Sequence, residues 1–464
     1  MRRDSATMSE IPKKIFSTLK NRPIVKIVSP LQKFIHKEAS GSRILLICIL
    51  IGLVWINLPF GDTYTNFWNI EIGFKIGSLD FHQSILHWIN DGLMATFFFL
   101  IGLELKREII VGGLSDLKEA SLSIFASLGG MIFPALIYLI FNPPKSTGAA
   151  GWGISMSTDI AIAIGILALF TYNIPKKLRL LLTSIAIIDD IGAILVIAIF
   201  YSTEIKWIFL VVSVLILAIL FLLNKIGVRK NIVYVIPGIL LWFFIFQSGI
   251  HSTITGILLA ITIPATKSID IDEFHAMSSK TLNSISEINL NDDDVSIYTR
   301  YIASIKALEE GFKKIQTPLE IIEHKLINWV VFLIVPIFAL ANSGIEFKAL
   351  AGGAFSVNVF FGVFLGLLVG KPLGMLTFTY FYSKTKFFSF PKNISWIQII
   401  GICFLGGIGF TMSNFIAGLA FTENTDFLNV AKIAILTASI ISAILGFLII
   451  RFSIKSKEKK DANA

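Results

Sequence analysis

LLTSIAIIDDIGAILVIAIFY, residues 181–201, holds two adjacent aspartates, Asp189 and Asp190, in the middle of an otherwise apolar run. A helix of about 20 apolar residues crosses the hydrocarbon of a bilayer. An ionisable side chain at the centre of such a span costs roughly 2.5–3.5 kcal/mol on insertion scales. Charges that expensive are retained where they are paired or used. Their number and surroundings therefore decide what they do.

The rest of the chain supplies the membrane. Its 464 residues are 55% hydrophobic and 15% charged, with a mean hydropathy of +0.77. A soluble domain carries about 25% charged residues, so this surface is too apolar for water. Apolar runs recur near 44–59, 85–105, 121–141, 149–171, 180–201, 207–223, 232–247, 249–264, 326–342, 357–382, 395–420 and 429–450, which predicts about twelve spans. The net charge of +9 lies between these runs, where it sets orientation and gives no reason to expect nucleic acid. Cys48 and Cys403 lie in apolar runs without metal-ligand spacing and are expected to be packing residues.

With the N-terminus placed in the cytoplasm, the short inner loops carry Lys106, Arg107, Lys118, Lys176, Lys177, Arg179, Lys225, Arg229, Lys230, Lys384, Lys386 and Lys392. The outer loops carry only Lys75, Lys145, Lys206 and Lys348. This positive-inside bias predicts cytoplasmic termini and an even span count. The expected domains are a basic cytoplasmic tail over 1–42 with no apolar core of a cleavable signal, spans 1–8 over 43–264, a cytoplasmic insertion over 265–325, spans 9–12 over 326–453, and a basic tail over 454–464. Residues 70–82 are β-branched and aromatic with Gly-Ser at a turn position, and predict a small extracytoplasmic β-hairpin. Within the insertion, Tyr298, Tyr301, Ile305, Leu308, Phe312, Ile315, Leu319 and Ile322 recur by threes and fours, an amphipathic helix that Gly311 and Pro318 weaken. Pro318 is expected to start the helix leading into the ninth span.

Besides the pair, Asp159 in the fourth span and Lys371 in the tenth sit at mid-membrane positions. Unpaired, the four would cost on the order of 10 kcal/mol. A purely structural ion pair accounts for Lys371 and one aspartate and leaves two carboxylates over. Two carboxylates about 5 Å apart repel by roughly 3 kcal/mol at an effective dielectric near 20. Burial and repulsion together disfavour two simultaneous charges. Such a pair exchanges protons, and its oxygens suit small hard cations; a group that holds a proton or a cation, but not both, is the minimum equipment of an antiporter. Around Asp159 the fourth span reads GWGISMSTDIAIAIG, and the eleventh reads CFLGGIGFTMSNFIAG. Both interrupt an apolar helix with polar residues or glycines, which membrane depth tolerates only against protein or a wet cavity. They are the middle spans of two three-span groups, 3–5 and 10–12. The expected fold is therefore an all-α polytopic membrane protein with inverted-topology repeats and two discontinuous crossing helices.

The strings STDIAIAIGILAL (157–169), LLTSIAIIDDIGAILVIAIFY (181–201), LLVGKPLG (367–374) and GGIGFTMSNFIAGLAF (406–421) resemble the NhaA family of sodium/proton antiporters. So do WINDGLMATFFFLIGLELKRE (88–108), QSGIHSTITG (247–256) and FALANSG (338–344), in order, over about residues 40–453. The resemblance implies electrogenic export of Na+ or Li+ in exchange for H+ across a bacterial inner membrane, serving pH and sodium homeostasis without a cofactor. It implies Asp190 as main cation ligand and proton carrier, and Asp189 as its partner in a switchable salt bridge with Lys371. Thr158 and Asp159 would lie at the helix crossing, where Asp159 and Lys371 offset the helix-end dipoles. Glu104, Arg107, Glu108, Glu323, His324 and His251 would serve pH sensing, and the 70–82 hairpin a homodimer. Glu320 and Ile321 stand where the family usually has basic residues, and Ile327 and Asn328 where it often has a histidine and a proline.

Three rivals use other chemistry. An intramembrane aspartyl protease needs a Gly-x-Gly-Asp string and two aspartates on different helices, and has no use for Lys371. A carrier of another solute on the same inverted-repeat fold has no reason for an Asp-Asp pair. A sensor built on the insertion would not need ion exchange at all.

Overall fold

The computed structural model describes residues 39–462 apart from 77–78, 113, 116, 171–173, 203–204, 268–270, 287–294, 348–354 and 386–393. In chain order the elements are α1 (Ala39–Asn57), α2 (Asp62–Trp68), β1 (Glu71–Ile76), β2 (Leu79–Ser84), α3 (Ile85–Ile110), α4 (Leu117–Phe141), a 3-10 helix (Ala149–Met156), α5 (Ile160–Ala168), α6 (Lys176–Phe200), α7 (Trp207–Ile226), α8 (Ile232–Gln247), α9 (Ile254–Thr262), α10 (Ile271–Ser286), α11 (Val295–Ile315), α12 (Pro318–Asn342), α13 (Val357–Ser383), α14 (Trp396–Gly406), α15 (Phe410–Ala420) and α16 (Thr425–Ala462). Each predicted apolar run contains helix. Eight helices among the described residues are long and apolar enough to cross a membrane, or up to ten if each bent pair is one span. The predicted count of twelve is thus not reached by this measure. The shortfall is α8, at 16 residues about 24 Å long, and α9, at nine residues about half the hydrocarbon thickness. They are joined where Gly249 takes φ +85°, a left-handed turn that glycine enters without a Cβ penalty.

β1 and β2 pair antiparallel from Glu71↔Ser84 to Ile76↔Leu79, and the predicted Gly-Ser turn lies outside the described residues. The basic N-terminal tail likewise falls outside them up to residue 38.

Within the insertion two helices form, not one. α10 packs on α11, Phe274 meets Phe312 with ring centroids 5.1 Å apart, and Gly311 lies against Phe274 and Met277. The glycine expected to weaken the helix is instead the flat spot of its seam. The predicted continuation to Leu319 and Ile322 is also corrected: the helix ends at Ile315, and a capping box opens the next one. Thr317 Oγ1 accepts from Glu320 N–H at 3.1 Å, Glu320 Oε2 accepts from Thr317 N–H at 2.9 Å, and Pro318 takes the first helical position. Glu320, noted for not being basic, is the residue this cap requires.

The core is built on close helix approach. α4 and α13 make the most intimate contact, at Gly129 and Gly374, where a Cβ on either would collide with the other's carbonyl oxygen. That contact lies one turn from Lys371, so the glycines set how far its ammonium reaches. A wide π-turn over Gly366–Gly370 immediately precedes Lys371 and offsets the register of the rest of α13. At the periphery, α7 buries only 11% of its apolar window, the signature of a lipid-facing helix.

Candidate ion site at the helix crossing

The two interrupted spans meet at their breaks. The 3-10 helix and α5 leave Ser157 and Thr158 out of helical hydrogen bonding, and α14 and α15 bend by 41° across 407–409. Asp159 N–H donates to Ile408 O at 2.6 Å, stitching one break to the other.

Asp159 is buried and is the N-cap of α5, its Oδ1 accepting from Ile162 N–H at 3.1 Å. Its Oδ2 accepts from Thr411 N–H at 3.0 Å and Thr411 Oγ1 at 2.7 Å. One carboxylate thereby caps two helix N-termini, those of α5 and α15, where partial positive charge concentrates. At the complementary pole, Lys371 Nζ donates to Met156 O at 2.5 Å, at the C-terminal end of the 3-10 helix. Opposite charges thus face opposite helix ends.

Asp189 and Asp190 are both fully buried on α6. Asp189 is saturated: its Oδ1 accepts from Ser127 Oγ at 2.5 Å, and its Oδ2 accepts from Thr158 Oγ1 at 2.8 Å and Lys371 Nζ at 2.9 Å. The single Thr158 hydroxyl proton also faces Gly406 O at 3.0 Å, so it serves one acceptor at a time. Asp190 differs in kind. Neither of its oxygens has a partner among the described residues. Successive helical residues point about 100° apart, so the neighbour of a saturated carboxylate is free to face elsewhere. An ionised carboxylate buried without a partner is costly, so at this place the group is neutralised by a proton or by a positive ligand.

At the far end of α3, Arg107 Nη1 lies 3.0 Å from Glu323 Oε1 and its Nη2 lies 3.4 Å from Glu108 Oε1. Glu104 stands one turn before Glu108 on the same helix, and His324 is exposed beside Glu323. His251 is not part of this cluster. It sits before α9 at the other end of α3, about 20 Å away along the helix, with Nδ1 3.6 Å from Asp91 Oδ1 and its ring against Phe415. Asp91 also accepts from Ser252 Oγ at 2.6 Å and pairs with His87 Nε2 at 3.1 Å.

Sequence reasoning assembled Asp159, Thr158, Asp189, Asp190 and Lys371 at one place and missed their supports. Thr411 was legible as the first-turn residue after a glycine break. Asp91 with His87 was legible as a carboxylate and a histidine four apart inside a span. Lys432, half-buried on α16 with Nζ 3.3 Å from Gly344 O, is an ionisable group inside the predicted twelfth span. Ser127 and the Met156 carbonyl carried no signal, since a serine in an apolar helix usually satisfies itself.

A polytopic helical protein whose two broken spans cross around buried carboxylates, one of them open, is built as a secondary ion transporter. The sequence model of the family described as Na+/H+ antiporter 1 matches residues 32–450, and the chain belongs to that family. It is 40% identical over 439 residues to the Na(+)/H(+) antiporter NhaA of Wolinella succinogenes, covering 93% of this chain and 95% of that one. It is 41% identical to the Na(+)/H(+) antiporter NhaA of Syntrophobacter fumaroxidans, covering 91% and 90%. Among solved structures, a sodium proton antiporter from Methanocaldococcus jannaschii aligns over 92% of each chain with a TM-score of 0.45 and 13% identity.

Proposed function

We propose that this chain is a sodium/proton antiporter and not an enzyme, with Asp190 as the group that protons and Na+ or Li+ occupy in turn. One observation carries the reading: Asp190 is fully buried with both oxygens unpartnered, beside a carboxylate whose two oxygens are both engaged. When Asp190 takes a cation, its own charge is neutralised by that cation. When it takes a proton, neutrality is kept without one, so the two cargoes exclude each other. Asp189 is the second oxygen donor; it reaches the cation if Lys371 lets go, and the Lys371–Asp189 pair is then the coupling element. Thr158 and Asp159 hold the crossing together while the flanking helices move.

The cycle is electrogenic: protons taken from outside displace the cation there, more protons than cations move per turn, and the proton motive force drives cation export from the cytoplasm. The protein sits in a bacterial inner membrane with both termini and the 265–325 insertion in the cytoplasm. Arg107, Glu323, Glu104, Glu108 and His324 at the cytoplasmic end tune access with pH, with His251 acting from the opposite face. Pairing of the 70–82 hairpin with a second copy gives a homodimer.

Collapse of a preformed pH gradient on adding sodium or lithium to everted vesicles tests the reading. Dissipation by the wild type, from neutral to alkaline pH, is expected. No response to either ion at any pH would leave a carrier of another solute as the reading to pursue.

A further inference from the structure

Asn414 is the second buried polar side chain near the crossing without a partner. It is 1% exposed, and neither its Oδ1 nor its Nδ2 has a hydrogen-bond partner among the described residues. The unpartnered Ser439 and Ser442 hydroxyls on α16 are a weaker case, because a rotating hydroxyl can turn to its own helix backbone. A carboxamide has two donor hydrogens and two acceptor directions and cannot satisfy them that way. A buried amide left bare is a cost that an apolar residue of the same size would avoid. It stays where something polar visits it.

Its position says what visits. α15 advances about 100° per residue. Ser413 faces Ser157 of the other broken span, with the hydroxyls 3.2 Å apart. Phe415 faces α3, α12 and His251, through Phe98, Phe338 and the imidazole. Asn414 points midway between these two directions. Thr411, which holds Asp159, lies on the same arc, three residues or about 4.5 Å earlier along the axis. Asn414 is therefore one turn from the crossing, on the side of the membrane where α15 ends and the β1–β2 hairpin lies, in the wedge between the fourth and second spans.

We propose that the Asn414 carboxamide is a ligand on the transport path, its Oδ1 contacting the sodium ion or the ion's water between Asp190 and the hairpin side. The inference rests on the antiport reading and deepens it by adding a neutral oxygen to the carboxylates already named. A neutral oxygen suits that leg of the path: it replaces hydration without adding a second negative charge that would hold the ion back.

The test is the sodium dependence of exchange in proteoliposomes for the wild type, Asn414→Leu and Asn414→Asp, with thermal melting of each protein. Asn414→Leu is expected to raise the apparent KM for sodium roughly five-fold, leave the maximal rate within about two-fold, and keep or raise the melting temperature, since it removes an unpartnered amide. Asn414→Asp, which adds the negative charge this leg lacks, is expected to lower KM below the wild-type value and to slow the maximal rate by at least about two-fold. An unchanged KM in Asn414→Leu with an active wild type overturns this proposal alone. So does a lower melting temperature in that variant, which would show the amide to be bonded within the protein. A wild type that exchanges neither sodium nor lithium overturns the antiport reading and this proposal with it.

Discussion

The helix crossing and the Arg107 end of α3 both hold carboxylates facing a basic residue, yet they are built under different conditions. At the crossing, Asp189, Asp159 and Lys371 are buried and take their partners from other spans at 2.5–3.0 Å. At the Arg107 end of α3 the burial is one-sided: Arg107 is 44% exposed, with contacts of 3.0 Å to the buried Glu323 and 3.4 Å to Glu108. A buried charge that loses its partner has no water to fall back on, whereas an exposed one does. The first region is accordingly all-or-none, and the second adjustable. The proposed function accordingly puts coupling in the first and tuning in the second.

The largest effect expected is on transport. Asp190→Asn should abolish sodium-driven exchange, a loss of at least about 100-fold, while its melting temperature holds or rises because an unpartnered buried carboxylate has gone. A variant that melts far below the wild type would mean that Asp190 is structural. Next comes Lys371→Met, which strands Asp189 and should cost about 3–5 kcal/mol in unfolding experiments. Adding Asp189→Asn to it should recover much of that loss, and a double variant as weak as the single one would show the pair not to be coupled.

Thr411→Val keeps the shape of the residue and removes the hydroxyl that reaches Asp159. A cost of roughly 1.5–3 kcal/mol is expected, with Asp159→Asn shrinking it if the bond is charge-assisted. At the Arg107 end of α3, Arg107→Gln leaves the buried Glu323 with an amide in place of its ion pair and should cost about 1–2 kcal/mol, less than Lys371→Met because Arg107 itself is exposed, with the maximal exchange rate changed by no more than about two-fold. A drop in stability as large as that of Lys371→Met would erase the distinction between the two regions.

What the sequence disclosed obeys the same division. Mid-membrane charges are legible because hydrocarbon makes each one expensive, so Asp159, the Asp189-Asp190 pair and Lys371 stood out, and so did the breaks around Asp159 and Gly407. Which aspartate would be saturated came only through the family resemblance, which paired Asp189 with Lys371; the residues themselves left it open, since it depends on the direction α6 turns and on Ser127, a residue with no signal of its own. The charge cluster around Arg107 was drawn from family resemblance, as was His251, which lies at the opposite end of α3. In the insertion the spacing of apolar residues disclosed α11 and not its partner α10, although α10 is about as polar and as amphipathic. The length criterion stops short of twelve at α8 and α9, whose predicted runs are helical but short. Hydropathy measures apolar length along the chain, and α9 is short because much of its predicted run is the turn that packs it on α3.

The central claim is that a cation and a proton compete for Asp190, and proton release on sodium addition measures it most directly. Purified wild-type protein in weakly buffered detergent solution should acidify the medium when sodium is added, and Asp190→Asn should release no protons. Equal release from both proteins would contradict the assignment and move the exchanging proton to another group.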